Sequence, residues 1–219
     1  MVAARTLVFD LDGTLADTVP DLAASLNRVL GRRGLAPFTR AEVAGMVGDG
    51  AAALVARAFT ARAQQQDVQA LPDFLVDYGA HYACDTRAYP GVDAALGRLA
   101  AAGWRLAVCT NKPHAPAHDL LAALGIGHYF AAIGGGDSFP TRKPDPAHLV
   151  ATIAAAGGIP ARALMAGDHR NDVSAAAGAG IPGIFVAWGY GTAPMGIGAA
   201  AVAAAVAELP ELAERLLPA

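Results

Sequence analysis

The sequence predicts an α/β protein, a doubly wound parallel sheet into which a small all-helical subdomain is inserted. Three observations lead there. A short apolar, partly β-branched run at residues 6–9 stops abruptly at Asp10-Leu11-Asp12-Gly13, as a strand buried in a parallel sheet does when it ends at a polar edge. Four further runs of that kind alternate with helical patterns through residues 92–187, the signature of crossover units. Between Asp17 and Asp85 the alternation gives way to helical patterns alone.

Taken in order, the first strand is 6–9 and the helical insertion follows it directly. The first inserted helix carries Leu22, Leu26, Val29 and Leu30 at helical spacing, and Thr39-Arg40-Ala41-Glu42 forms a capping box for the next. The insertion is expected over residues 17–85, with residues 1–16 and 86–219 forming the core. In the core, helix 92–101 places Val92, Leu96 and Leu99 on one face. Strands follow at 105–109, 131–133, 164–166 and 183–187. Helix 113–124 is closed by Gly125, and a terminal helix spans 208–217 with Pro210 in its first turn.

Composition narrows the function classes. The 219 residues are 54% hydrophobic but only 6% aromatic, which predicts a core packed largely with small side chains. A net charge of −3 without a long basic run argues against a nucleic-acid partner. Cys84 and Cys109 form no CxxC pair, and both are expected to be reduced and mostly buried. The apolar run before Asp10 is too short for a signal peptide, and the alanine-rich stretch 193–207 is shorter than a membrane span needs. A cytoplasmic protein with no membrane partner is the expectation.

Asp10 and Asp12 at a strand end bring oxygen ligands to one hard cation. Alone, the pair fits a turn equally well. A calcium loop fails on spacing, since Leu15 stands where glycine is needed and Asp21 where glutamate is needed. Three other strand ends alter the balance. Val108-Cys109-Thr110-Asn111 offers a hydroxyl and an amide, Arg142-Lys143-Pro144-Asp145-Pro146 a cation before a helix, and Gly167-Asp168-His169-Arg170-Asn171-Asp172 two carboxylates four apart. In an open parallel sheet such ends converge on one edge, where ligands bind.

In order, Asp10-Leu11-Asp12-Gly13-Thr14, Thr110, Lys143 and Gly167-Asp168 with Asp172 resemble the four motifs of the haloacid dehalogenase superfamily. The helical insertion stands where that family's cap is inserted, so the resemblance covers the whole chain and implies a Rossmann-like core. It implies Asp10 as nucleophile, Asp12 as acid and then base, and Thr110, Asn111 and Lys143 as phosphate-binding. It also implies Mg2+ held by Asp10, Asp12 through its backbone carbonyl, and Asp168. Asp172 would orient Lys143 or a metal-bound water rather than bind the metal.

Thr110-Asn111-Lys112-Pro113, the 167–172 motif and Val47-Gly48-Asp49-Gly50 resemble most the phosphoglycolate phosphatase group. That likeness implies a small phosphorylated metabolite, 2-phosphoglycolate, as substrate, with an aspartyl-phosphate intermediate. Gly48 and Gly50 would present backbone N–H groups from the cap, or form a plain turn; both readings stay open here. Arg28, Arg32, Arg33 and Lys112 are possible partners for the substrate carboxylate. Phosphosugar and amino-sugar-phosphate phosphatases and phosphosugar mutases share every core motif. A dehalogenase has no need of Asp12, and a receiver-type regulatory domain needs neither Asp12 nor the insertion. His114 and His118, four apart, lack a third metal ligand and read as surface residues, while Trp188-Gly189-Tyr190-Gly191 reads as a turn.

Overall fold

The computed structural model describes residues 4–219. Its main sheet is built from β1 (Thr6–Phe9), β4 (Arg105–Cys109), β5 (Phe130–Gly134), β6 (Ala163–Gly167), β7 (Gly183–Val186) and β8 (Ala201–Ala203), with β2 (Ala16–Asp17) and β3 (Arg87–Ala88) forming a separate ribbon. The six strands lie in the order β5-β4-β1-β6-β7-β8, and every pairing is parallel. β1 is therefore central, flanked by β4 and β6. The chain turns to the opposite half of the sheet between β5 and β6, so the crevice beyond the carboxyl ends of β1, β4 and β6 is the topological switch point.

Strand alternation divides the core into two layers. Leu7 and Phe9 face α5 (Val92–Ala101), α6 (His114–Ala123) and α9 (Leu209–Leu216), where Leu96, Leu99, Leu120 and Leu212 pack on them. Val8, Ala107 and Met165 face the other way, onto Leu149 and Ile153 of α7 (Pro146–Ala155) and Ala175 and Ala176 of α8 (Arg170–Gly178). The small side chains let these helices sit close to the sheet, as the alanine content predicts. Arg5 caps one end of this core, donating to both oxygens of Glu214 and stacking 4.5 Å from the Trp104 ring.

The segment between β2 and β3 is helical: α1 (Val19–Gly31), α2 (Arg40–Ala44), α3 (Ala51–Ala61) and α4 (Ala70–His81). These helices enclose an apolar core of their own, with Leu26, Val29, Leu30, Val55, Phe59 and Phe74 at its centre. α1 forms because Leu22, Leu26, Val29 and Leu30 make one stripe and Pro20 sits in the first turn, where its missing N–H costs nothing. At α2 the capping box closes reciprocally, with Glu42 N–H donating to Thr39 Oγ1 and Thr39 N–H donating to Glu42 Oε2.

The chain enters and leaves this segment through the antiparallel β2–β3 pair, Ala16 against Ala88 and Asp17 against Arg87. Asp21, 3% exposed, ties the exit to α1 by accepting from the N–H groups of Asp85 and Thr86 and from the Thr86 hydroxyl. Three strands lie outside the sequence expectation. β2 and β3 are two residues each, too short to carry a pattern, and the alanines of β8 have low strand propensity and take their conformation from β7. The cysteines are both free, but only Cys109 is buried; Cys84 is exposed on the link from α4 to β3. No helix among the described residues is long and apolar enough to cross a membrane.

Candidate active site

Asp10 follows β1 immediately, and its N–H donates to Ala166 O of the neighbouring β6. Its side chain is thereby aimed out of the carboxyl edge of the sheet at the switch point. Leu11 N–H donates to Oδ1 at 2.7 Å, and the Lys143 ammonium lies 3.0 Å from that oxygen. Lys143 precedes α7 and is 2% exposed; its Nζ also donates to Asp172 Oδ1 at 2.6 Å. A buried ammonium is costly unless paired. Burial lowers its pKa, yet Asp10 and then Asp172 more than offset this, and Lys143 is held protonated.

Asp172 Oδ2 is taken by His169 N–H at 3.0 Å, within a capping box that opens α8 from His169. Asp168 is not the cap of that helix. Its carboxylate accepts from Thr14 Oγ1 at 3.0 Å and from the N–H groups of Tyr190 and Gly191 at 2.8 and 3.2 Å. The Trp188–Gly191 turn is therefore a cradle for Asp168, and side chains at Gly189 or Gly191 would collide with that residue. Tyr190 serves a second purpose. Its hydroxyl donates to Asp17 Oδ1 and accepts from the N–H groups of Thr18 and Val19, fixing the start of α1 to the site.

Asp10, Asp168 and Asp172 each offer an oxygen within 4.8 Å of the others, and all three are buried. Burial, opposed mainly by Lys143, pushes Asp10 up to about 6 from its ordinary 3.8. Burial, reinforced by Asp10 and Asp172, pushes Asp168 up to about 7. Three carboxylates sharing one ammonium leave a buried excess of negative charge once ionised, and the donors are hard oxygens. The cluster fits a hard metal cation. Asp172 and Asp168 each have both oxygens engaged, whereas the bonds to Asp10 all fall on Oδ1, which leaves its Oδ2 the freest carboxylate oxygen of the cluster.

Thr110 follows β4 immediately, is 1% exposed, and accepts from Lys112 N–H at 3.2 Å, leaving its own O–H to donate. The side chain of Asn111 is engaged within the protein. Its amide nitrogen donates to Gly48 O at 2.9 Å and Lys143 O at 3.0 Å, so both amide hydrogens are spent on holding two loops. Asn171 Nδ2 donates to the same Gly48 carbonyl and to Asp49 Oδ1. Gly48 and Gly50 thus lie in a loop docked on the core at φ +122° and +86°, and a Cβ at Gly48 would strike the His169 ring.

Asp12 lies apart from the carboxylate cluster. Lys112 Nζ donates to its two oxygens at 2.9 and 3.2 Å and sits 4.6 Å from the Tyr78 ring of α4. Arg28 and Arg32 pair with Asp77, and Arg33 with Asp67 and Asp73, all on the helical segment. His148 stands in no motif of the sequence, yet it is buried against Lys143. Its Nδ1 accepts from Lys143 N–H, so Nε2 carries the proton donated to Gly135 O. Burial lowers its pKa, with Lys143 adding to the effect, so the ring stays neutral and acts as a brace for the Lys143 backbone. The three glycines 134–136 are tight crossings against Thr152, His114 and Asn111. His114 and His118 are exposed, at the start and middle of α6.

The chain is similar to known proteins over most of its length. The chain is 45% identical over 192 residues to the phosphoglycolate phosphatase of Agrobacterium fabrum, covering 86% of this chain and 82% of that one. Identity to the phosphoglycolate phosphatase of Rhodospirillum rubrum is 45% over 207 residues, covering 90% and 86%. The crystal structure of a predicted phosphoglycolate phosphatase from Haemophilus somnus superposes with a TM-score of 0.87 at 32% identity, covering 97% of this chain and 99% of that one. The family model for haloacid dehalogenase-like hydrolases matches residues 4–180, a span that contains Asp10, Asp12, Thr110, Lys143, Asp168 and Asp172. The chain belongs to the haloacid dehalogenase-like hydrolase family and is a phosphatase.

Proposed function

We propose that the protein hydrolyses 2-phosphoglycolate to glycolate and phosphate, with residues 17–85 acting as a cap over a catalytic core made of residues 1–16 and 86–219. The chemical part rests chiefly on one observation: Asp10 has Oδ1 pinned by Leu11 N–H and Lys143, which orients its other oxygen toward the crevice. The substrate rests on the names of the 45% identical relatives.

In the first step Asp10 attacks phosphorus, the P–O ester bond breaks, and Asp12, protonated on an oxygen released from Lys112, gives that proton to the departing glycolate oxygen. In the second, Asp12 takes a proton from water, that water attacks phosphorus, and the bond to Asp10 breaks to release phosphate. Lys143 and the Thr110 hydroxyl bind phosphoryl oxygens and stabilise charge in the transition state. Asp172 and His148 keep Lys143 in place. Asp10, the Asp12 carbonyl and Asp168 would hold Mg2+, which supplies charge neutralisation at the phosphoryl group.

The test is phosphate release from 2-phosphoglycolate, several sugar phosphates and pyrophosphate, each with Mg2+ and with excess chelator. The expected result is Mg2+-dependent release, highest in kcat/KM for 2-phosphoglycolate. Preference for a sugar phosphate would move the substrate, and release that ignores the chelator would contradict the metal-assisted mechanism.

A further inference from the structure

We propose that Lys112 is a specificity-determining residue that selects substrates bearing a carboxylate beside the phosphate ester. The inference rests on the phosphatase reading above and deepens it by assigning one side chain to the non-reacting end of the substrate.

A cavity lies between the core and the helical segment, with Asp10, Asp12, Thr110 and Lys112 on its core side and Leu54 and Phe74 among the residues opposite. Lys112 is the one cationic side chain lining it among the described residues, and it is 6% exposed. Arg28, Arg32 and Arg33 of the helical segment are spent on Asp77, Asp67 and Asp73. A carboxylate entering this space gives up its hydration, and an apolar wall returns nothing for it. Lys112 is the available compensation.

Order along the cavity matches the order of atoms in the substrate. Phosphorus belongs at Asp10 and the ester oxygen at Asp12; Lys112 Nζ is 2.9 Å from Asp12 Oδ1. In 2-phosphoglycolate the carboxyl carbon is two bonds beyond the ester oxygen, which brings its oxygens to the ammonium. Lysine has three N–H donors, so Nζ can keep a bond to Asp12 while giving another to the substrate. Tyr78, from α4, lies over the same ammonium at 4.6 Å, so an occupied Lys112 is covered from the helical side. A sugar phosphate presents hydroxyl groups at that place, which gain far less from a desolvated charge than a carboxylate does.

The experiment compares 2-phosphoglycolate with 2-hydroxyethyl phosphate, in which a hydroxymethyl group replaces the carboxylate, in the wild type, Lys112→Met, Lys112→Gln and Lys112→Arg. The wild type is expected to favour 2-phosphoglycolate in kcat/KM by about 100-fold or more. Lys112→Met should reduce that ratio to within about 10-fold, with the 2-phosphoglycolate loss concentrated in KM, and Lys112→Arg should restore part of it. Should the methionine variant fail to fold by circular dichroism, the glutamine variant, which can still hydrogen-bond Asp12, decides by the same ratio. An equal fall for both compounds, leaving the ratio at its wild-type value, would mean that Lys112 serves Asp12 alone and would overturn the inference. A wild type that does not discriminate would overturn it as well while leaving the phosphatase intact. Release from neither compound would overturn the phosphatase reading and the inference together.

Discussion

The α/β core and the helical segment are held together by different physics. In the core, apolar layers on both faces of the sheet carry a polar edge where Lys143 pairs with Asp10 and Asp172, and Asp168 lies buried beside them, held by Thr14, Tyr190 and Gly191. The helical segment has its own apolar cluster, and its charges lie mostly outside, in pairs such as Arg28–Asp77. Tyr82 is a hydrophobic side chain that packs against both clusters. The two regions also meet through the β2–β3 ribbon, the Tyr190 hydroxyl, the Gly48 carbonyl, the Asn171–Asp49 hydrogen bond and the Lys112–Tyr78 contact. The buried carboxylate cluster belongs to the core, and the helical segment docks on it through polar contacts.

The largest effect should follow from breaking the core's charge network. Lys143→Met leaves Asp10 and Asp172 buried without their counter-ion, which is expected to cost about 3–5 kcal/mol of stability. It should also lower kcat by about 1,000-fold or more, since Asp10 and the phosphoryl oxygens lose the same ammonium. Denaturant unfolding and steady-state kinetics check both. A stable, active variant would mean that the network is not what organises Asp10.

A Gly48→Ala substitution attacks the docking instead. The φ of +122° and the collision with His169 should displace the loop, at a cost of roughly 1–3 kcal/mol. Misplacing the contacts should cut kcat/KM by about tenfold or more. A variant whose stability falls while kcat/KM holds would show that the loop does not meet the substrate.

Acidity separates the two regions further. Asp10 at about 6 and Asp168 at about 7 lie above their ordinary 3.8, so the folded, metal-free protein binds these protons more tightly than the unfolded chain. That stabilisation is complete below pH 3.8 and is lost as pH rises through 6 and 7. A divalent cation held by these carboxylates would take the place of the lost protons. The rise in Tm on adding Mg2+ should therefore be larger at about pH 8 than at about pH 5.5. A rise that is flat or shrinks with pH would contradict the assignment of the carboxylate cluster as the metal site. The smallest effect is expected on the outer face of the helical segment. Arg32→Ala removes one exposed partner of Asp77 and should change stability by less than about 1 kcal/mol, leaving kcat/KM within about twofold.

The same division explains what the sequence could and could not disclose. β1 was legible because three buried apolar residues, Leu7 to Phe9, end at a carboxylate, and a parallel strand has few other ways to look. The Thr39–Glu42 box was legible because capping is local. Contacts that cross between regions were not. Tyr190 sits in what reads as a turn, and only the fold brings its hydroxyl to Thr18 and its N–H to Asp168. Lys112 could be named as a cation near the site, but its pairing with Asp12 spans a hundred positions of chain. Asn111 stood within the expected phosphate-binding motif, and its amide is spent on the backbone of Gly48 and Lys143, a role that depends on where two distant loops come to rest. The glycines at 48, 189 and 191 gave a faint signal, since each stands where another residue's side chain or carbonyl leaves no room for a Cβ.

The most direct test of the central claim is to mix the Mg2+-loaded enzyme with phosphorus-labelled 2-phosphoglycolate, quench in acid within the first turnover, and map the label by peptide mass spectrometry. The account predicts a hydroxylamine-sensitive acyl phosphate on the peptide carrying Asp10, absent from Asp10→Asn, which should also release no phosphate. A first-turnover burst of phosphate with no label on Asp10, or wild-type turnover by Asp10→Asn, would contradict it.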